Sequence, residues 1–123
     1  MTYVIFTYGT LMKGNRNHYL IENSKYLCDG VLNDYGLYEI GTFPGAINKH
    51  GFKVYGEVYE IDDAIKELLD CLEDEGNVYN FKKATINTDN GPVEAGFYEF
   101  IDKSIKYPLR KPDGKWNTTR NDV

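Results

Sequence analysis

Glu73 is the side chain of this sequence best placed for acid–base chemistry. It lies in the stretch LDCLEDEG, residues 69–76, where a helical spacing puts Glu73 about 40° from Leu69, at the edge of the apolar stripe. The last turn of a helix opposes negative charge, and Asp70 and Asp74 are close like-charged neighbours. With partial burial, these effects predict a raised pKa, in the range of a general base. An acidic helix end that is only solvated is the alternative, and the residues alone leave both interpretations open for Glu73.

A glycine turn near the start of the chain is the second feature suited to chemistry. The stretch FTYGTLMKGN, residues 6–15, follows an apolar run that is typical of a strand. A turn at the end of a strand leaves backbone N–H groups without ladder partners, and glycine lets a ligand approach them closely. Such a turn can bind an oxyanion or a carboxylate. On the motif alone an ordinary structural turn is favoured, because single Gly-Thr pairs are common.

Several aromatic residues are candidates to line a cleft. The stretch GTFPGA, residues 41–46, is rich in turn formers and is predicted to be a loop. Its Phe43 and Pro44 could line a pocket or only pin the loop. The chain has 11 tyrosines, more than a small core requires, so some are predicted to line a polar cleft.

Histidine and cysteine chemistry is not indicated. His18 and His50 lie far apart in the sequence and have no cysteine or carboxylate at ligand spacing, so we expect no zinc site. Cys71 faces a different side of the predicted helix from Glu73, and no Cys-His arrangement supports it as a nucleophile. Cys28 and Cys71 match no metal motif, and the sequence begins without a signal-peptide pattern. A reduced, cytoplasmic protein is the simplest interpretation.

Five strands and one helix are predicted to position these residues. Short stretches of β-branched and aromatic residues between turn signals indicate strands at residues 3–8, 28–38, 54–61, 81–86 and 94–101. Apolar residues at steps of three and four indicate a helix over 61–72, begun by Asp62 or Asp63 and ended by Gly76. The sequence DNG at 89–91 predicts a hairpin tip, and residues 17–22 carry a weaker helical pattern.

The length, charge and composition of the chain limit the classes of protein to which it could belong. The 123 residues predict one domain over 1–123, with residues 103–123 as a polar tail in which Trp116 anchors an extended segment. A formal net charge of -5, with 14 Lys and Arg against 19 Asp and Glu, argues against a nucleic-acid partner. No apolar run approaches the roughly 20 residues of a membrane span, so we expect no membrane partner. The sequence does not indicate an oligomeric state.

Several motifs in this order resemble the gamma-glutamylcyclotransferase-like family. They are YGTL at 8–11, GTFPG at 41–45, GEVYEID at 56–62, LDCLE at 69–73 and the following Tyr79. The chain most resembles the short members, of the gamma-glutamylamine cyclotransferase type, over roughly residues 3–101. The resemblance implies an α+β fold built as a small mixed β-barrel with flanking helices, a cavity at one end of the barrel, and neither a metal nor an organic cofactor.

The resemblance also implies a site and a reaction. Glu73 would be the general base, and the substrate, a small γ-glutamyl compound, would cyclise when its own α-amine attacks the γ-carbonyl, which releases 5-oxoproline and an amine or amino acid. The turn would supply backbone donors to the γ-glutamyl group, and aromatic residues would complete the site. The expected substrate-binding residues are Tyr8, Gly9, Thr10, Leu11, Phe43, Pro44, Tyr79 and Tyr98.

Two positions depart from the pattern of the family. Many relatives carry Tyr-x-Arg after the catalytic helix, whereas here Tyr79 is followed by Asn80 and Phe81. Where some members have a tyrosine near the end of the last strand, this chain has Phe100, with Tyr98 close by. Besides the cyclotransferase, two other classes are considered: a noncatalytic module that binds a small acidic metabolite, which Phe81 favours, and a structural domain that binds a partner.

Overall fold

The structure is a computed structural model that describes residues 2–104 and 109–116. In these ranges the strands are β1 (Thr2–Thr7), β2 (Lys25–Ile40), β3 (Phe43–Asp62), β4 (Tyr79–Thr88), β5 (Gly91–Phe100) and β6 (Leu109–Arg110). One α-helix, α1 (Asp63–Leu72), joins β3 to β4, and a short 3₁₀ helix covers His18–Leu20.

The strands form a mainly antiparallel sheet. Long antiparallel ladders join β1 to β3, β2 to β3, and β4 to β5, and the short β6 pairs with β2. Single residue pairs supply the remaining junctions: Ile5 with Gly96, Ala46 with Glu99, and Val31 with Asn87. The fold class is α+β: a mixed sheet with one α-helix in the described ranges. Because each of these three junctions is a single residue pair, we do not describe the sheet as the closed barrel with flanking helices that the resemblance implied.

The long hairpin of β2 and β3 corrects one expectation. All five predicted strands are present, but residues 43–46, predicted to be a loop, open β3 instead. Only Gly41 and Thr42 form the turn, with Gly41 at a φ of 66°. Pairing with β2, which sets Pro44 opposite Glu39, outweighs the local preference of proline and glycine for turns. Phe43 and Pro44 are therefore held on a paired strand.

Helix α1 begins after one of the predicted caps and ends at Leu72, the last residue of the predicted range. The Asp62 carboxylate accepts the backbone N–H of Ile65 at 2.9 Å, which is an N-cap. The helix ends at Leu72, and Asp74 takes the left-handed conformation with a φ of 50°. Gly76, at a φ of 97°, lies in the following turn, so its predicted role as the residue that ends the helix is wrong. The weaker helical pattern at 17–22 is the short 3₁₀ helix.

Two clusters of buried side chains fill the interior. One surrounds Phe6 and Phe97, and the other joins the fully buried Leu69 of α1 to Tyr79 and Tyr98. Burial of a leucine side chain contributes about 2 kcal/mol, so Leu69 fixes the helix against the sheet. The last turn of α1 is thereby held beside the strand ends that carry the tyrosines.

The described part of the tail packs on the sheet. Strand β6 pairs with the end of β2, and the Gly114 carbonyl accepts the Tyr55 N–H at 2.9 Å. Trp116 is half-buried against the cluster that contains Phe6, as the predicted anchor requires. The remainder of the polar tail, at 105–108 and 117–123, lies outside the described residues.

Two kinds of feature are absent from the described residues. These residues contain no helix with both the length and the apolar character that a membrane span demands. They also contain no group of three or more His, Cys, Asp or Glu side chains arranged to hold a metal ion.

Candidate active site

A cavity of about 260 Å³ opens where the end of β1, the start of β3 and the end of α1 meet. All the residues that the sequence predicted for the site line it: Tyr8, Gly9, Thr10, Leu11, Phe43, Pro44, Glu73, Tyr79 and Tyr98. They come from separate parts of the chain, so only the fold brings them together. Their individual roles stay predictions.

Glu73 follows the last residue of α1 and is half-buried in the cavity wall. Its backbone N–H donates to the Leu69 carbonyl at 2.9 Å, which extends the hydrogen-bond pattern of α1 to Glu73. Burial raises the pKa of the Glu73 carboxyl from an ordinary 4.5 to about 7. The predicted rise in the pKa of Glu73 therefore has the right direction, and burial is its cause. Like-charged neighbours were also predicted to contribute, but the Asp70 carboxylate is paired with the Lys66 ammonium at 2.8 Å.

The turn after β1 is held through its carbonyl groups. The Gly9 carbonyl accepts the Met12 N–H at 3.1 Å, and the Thr10 carbonyl accepts the Asn17 N–H at 3.0 Å. The Asn17 amide also donates to the Thr10 hydroxyl at 2.9 Å. Within the described residues, the N–H groups of Gly9, Thr10 and Leu11 donate to no protein acceptor. This part of the cavity wall thus offers backbone donors to an anionic group.

The glycine in this turn is required by a close contact. The φ of Gly9 is not in the left-handed region, so backbone freedom does not explain the residue. A Cβ atom at Gly9 would lie 2.2 Å from Cγ of Pro44, which is far too close. Gly9 therefore lets the turn pack directly on the start of β3, and the two sequence motifs become neighbouring walls of one cavity.

Three tyrosines of the cavity direct their hydroxyl groups into the surrounding protein. The Tyr8 hydroxyl donates to the Tyr98 carbonyl at 2.6 Å, and Tyr79 donates to the Pro44 carbonyl at 2.5 Å. The Tyr98 hydroxyl donates to the Asp70 carboxylate at 2.6 Å. Burial raises the pKa of all three hydroxyls, and the charge of Glu73 adds to the rise. These tyrosines stay neutral and fix the shape of the wall.

Comparison with known proteins identifies the family. The family model described as gamma-glutamyl cyclotransferase, AIG2-like, matches residues 5–118. The chain belongs to this family. A relative from Vibrio cholerae, provisionally named a gamma-glutamylcyclotransferase, is 35% identical over 100 residues, which cover 80% of this chain and 84% of that protein.

One further relative and one solved structure are also similar to this cyclotransferase-family chain. The gamma-glutamylcyclotransferase family protein YtfP of Escherichia coli is 40% identical over 75 residues, which cover 61% of this chain and 66% of that protein. The crystal structure of an AIG2-like protein from mouse matches with a TM-score of 0.82 over 94% of this chain and 88% of that chain. Its identity is 20%, so this likeness supports the fold alone.

Sequence reasoning missed the ion pair behind the cavity wall of this family member. Asp70 was predicted only as a like-charged neighbour of Glu73, but its carboxylate accepts the Tyr98 hydroxyl and pairs with Lys66. The Lys66 ammonium also lies 4.1 Å from the centre of the Phe81 ring. The spacing of Lys66 and Asp70, four residues apart on a helix, was the signal that would have predicted the pair.

Two polar residues that line the cavity were also missed. Arg16 and Asn17 lie in the segment after the glycine turn, and neither belongs to a motif that predicted a site. Asn17 holds Thr10, as described above. Arg16 donates to the Thr42 carbonyl at 3.3 Å, so it bridges the segment after β1 to the hairpin turn. Nothing in the sequence predicted that these two segments meet.

Proposed function

We propose that this chain is a γ-glutamyl cyclotransferase in which Glu73 acts as general acid and base. The observation that carries the proposal is a carboxyl with a pKa of about 7 in one cavity with a turn of unpaired backbone donors. A general base works best when its pKa lies near the working pH, because it is then ionised and still holds a proton well. Membership of the gamma-glutamyl cyclotransferase, AIG2-like family supports the same reaction class.

The reaction needs no nucleophile from the protein. The ionised Glu73 takes a proton from the α-ammonium of a γ-glutamyl compound, and the α-nitrogen then attacks the γ-carbonyl carbon to close a five-membered ring. The bond between that carbon and the departing nitrogen breaks, and the Glu73 carboxyl returns its proton to the departing nitrogen. Overall, the two protons that the α-nitrogen loses end on the released amine as it becomes ammonium. The products are 5-oxoproline and an amine or amino acid.

The rest of the site would bind and orient the substrate. Unpaired N–H groups of Gly9, Thr10 and Leu11 suit the α-carboxylate or the oxygen that gains charge on the γ-carbonyl. The aromatic wall would exclude water from the reacting atoms. A small-molecule γ-glutamyl substrate, without metal or organic cofactor, is part of the proposal, and a cytoplasmic location stays a prediction of the sequence.

The test is release of 5-oxoproline from a panel of γ-glutamyl amines and γ-glutamyl amino acids. Glu73→Gln keeps the shape of the side chain but cannot exchange a proton, so turnover should fall by about 10²–10⁴-fold. Glu75→Gln is the matched control, because Glu75 is an exposed carboxylate two residues away that does not line the cavity. A Glu73→Gln variant as active as the control would remove Glu73 from the mechanism.

A noncatalytic module that binds a γ-glutamyl metabolite is the second candidate. Phe81 favours it, because the resemblance to the family implies an arginine at this position. The ring packs 5.1 Å from the Tyr98 ring and leaves no room for a Cβ atom at Gly96, 2.1 Å away. Calorimetric binding of a panel member without release of 5-oxoproline would favour this candidate.

A further inference from the structure

Arg16 is the single cationic side chain among the described residues that line the cavity. It is exposed, and its contact with the Thr42 carbonyl holds it beside the hairpin turn of β2 and β3, next to Phe43. Glu73, in contrast, is half-buried. The cavity lining therefore holds a half-buried acid, Glu73, and two exposed charges, the Asp74 carboxylate and the Arg16 guanidinium, which form no ion pair with each other in the described residues.

Most hydrogen-bond donors of the Arg16 guanidinium are unpaired within the described residues. A guanidinium carries five N–H donors in a planar fork, and within the described residues one hydrogen bond, to Thr42, is formed. Arg16 forms no ion pair with any described carboxylate. The fork matches the two oxygens of a carboxylate, so the unfilled donors suit an anionic group of a ligand in the cavity.

The position of Arg16 decides which carboxylate it meets. In the proposed reaction the α-nitrogen of the substrate must reach Glu73, and the α-carboxylate is attached to the same carbon as that nitrogen. The α-carboxylate therefore lies toward the interior, near the unpaired N–H groups of the turn. The departing nitrogen must also reach Glu73, which protonates it, so only the substituents of that nitrogen extend toward the mouth. In a γ-glutamyl amino acid, the second carboxylate is one carbon away from the departing nitrogen.

We propose that Arg16 selects γ-glutamyl amino acids over γ-glutamyl amines by binding the carboxylate of the departing amino acid. The inference rests on the proposed function and adds the substrate class to it. Phe43 and Leu72, both partly exposed in the cavity wall, offer apolar surface to the side chain of the departing amino acid. A departing group that ends in an ammonium would instead bring like charge toward the guanidinium.

The test compares γ-glutamylalanine with γ-glutamylethylamine, which differ only in the carboxylate of the departing group. The wild-type protein should prefer γ-glutamylalanine, and Arg16→Gln should lower its kcat/KM by about tenfold, the size of one charge-assisted contact. The kcat/KM for γ-glutamylethylamine should not change. Arg16→Lys, which keeps the charge, should restore part of the loss. Lys13→Gln is the control, because Lys13 is an exposed cation in the same segment that does not line the cavity.

An equal loss for both substrates in Arg16→Gln would overturn the inference, since Arg16 would then act on the γ-glutamyl group or on the hairpin turn. No loss for either substrate would also overturn it. Calorimetry separates this failure from that of the proposed function: both ligands are titrated into Glu73→Gln and into the double variant that adds Arg16→Gln. If the wild type releases no 5-oxoproline but binding shows a preference for the carboxylate that depends on Arg16, the function fails and the selectivity stands. Absence of binding, or binding without this preference, counts against Arg16.

Discussion

The half-buried position of Glu73 should make the protein less stable above pH 7 than it would be without this charge. The pKa of the carboxyl rises from 4.5 to about 7 in the folded state because burial disfavours the ionised form. The folded state thus binds a proton more tightly than the unfolded chain. The free energy of unfolding therefore falls as the pH rises from 4.5 to 7, and it levels off above that range.

The size of the effect follows from the same pKa values. Each pKa unit corresponds to about 1.4 kcal/mol, so a rise from 4.5 to about 7 gives an upper limit of about 3 kcal/mol. Glu73→Gln removes the ionisable group and keeps its volume. The variant should match the wild type near pH 4.5 and gain up to about 3 kcal/mol in free energy of unfolding at pH 8.

Urea unfolding of both proteins at pH 4.5, 6, 7 and 8, followed by far-ultraviolet circular dichroism, measures this difference. Glu75→Gln is again the control: Glu75 is exposed and accepts the Phe81 N–H at 3.1 Å, so its loss should bring no gain that grows with pH. Equal stability of Glu73→Gln and wild type at every pH would refute the desolvation argument. A Glu73→Gln variant less stable than wild type at pH 8 would show that the carboxylate makes favourable contacts there.

Three further predictions concern the site and its support. The kcat/KM for 5-oxoproline release should rise with pH through about 7, because the ionised Glu73 is the active form, and a flat pH profile would contradict this. Gly9→Ala should cost about 1–3 kcal/mol in urea unfolding and weaken ligand binding by calorimetry, since its Cβ would meet Pro44; unchanged values would show that Pro44 moves aside. Asp62→Ala should cost about 1 kcal/mol by removing the cap on Ile65, whereas Asp62→Asn should cost less.

Local patterns predicted those parts of the fold that depend on neighbouring residues. The hairpin tip is one such case, because Asp89 and Asn90 form the turn and Gly91 takes a φ of 104°. The N-cap at Asp62 and the position of Glu73 beside the apolar stripe are two others. Each depends on spacing over a few residues, which a sequence shows directly.

Contacts between distant segments could not be predicted in this way. The start of β3 looked like a loop because Pro44 and Gly45 favour turns, and only its pairing with β2 makes it a strand. Arg16 carries no motif, and its place in the cavity depends on contact with Thr42, 26 residues away in the sequence. The tie between Tyr98 and Asp70 spans 28 residues and two elements.

The arrangement of the cavity limits the chemistry that the proposed enzyme could perform. Among its described lining residues there is no serine, cysteine or histidine, and the hydroxyls of Tyr8, Tyr79 and Tyr98 are committed to acceptors in the wall. The two lining threonines are also hydrogen-bonded, since the Thr7 hydroxyl donates to the Glu57 carbonyl and the Thr10 hydroxyl accepts the Asn17 amide. Glu73 remains as the group whose pKa of about 7 suits repeated gain and loss of a proton. A site with these groups can transfer protons and stabilise charge, so it suits a substrate that carries its own nucleophile. A γ-glutamyl compound meets this requirement, because its α-amine closes a five-membered ring on its own γ-carbonyl.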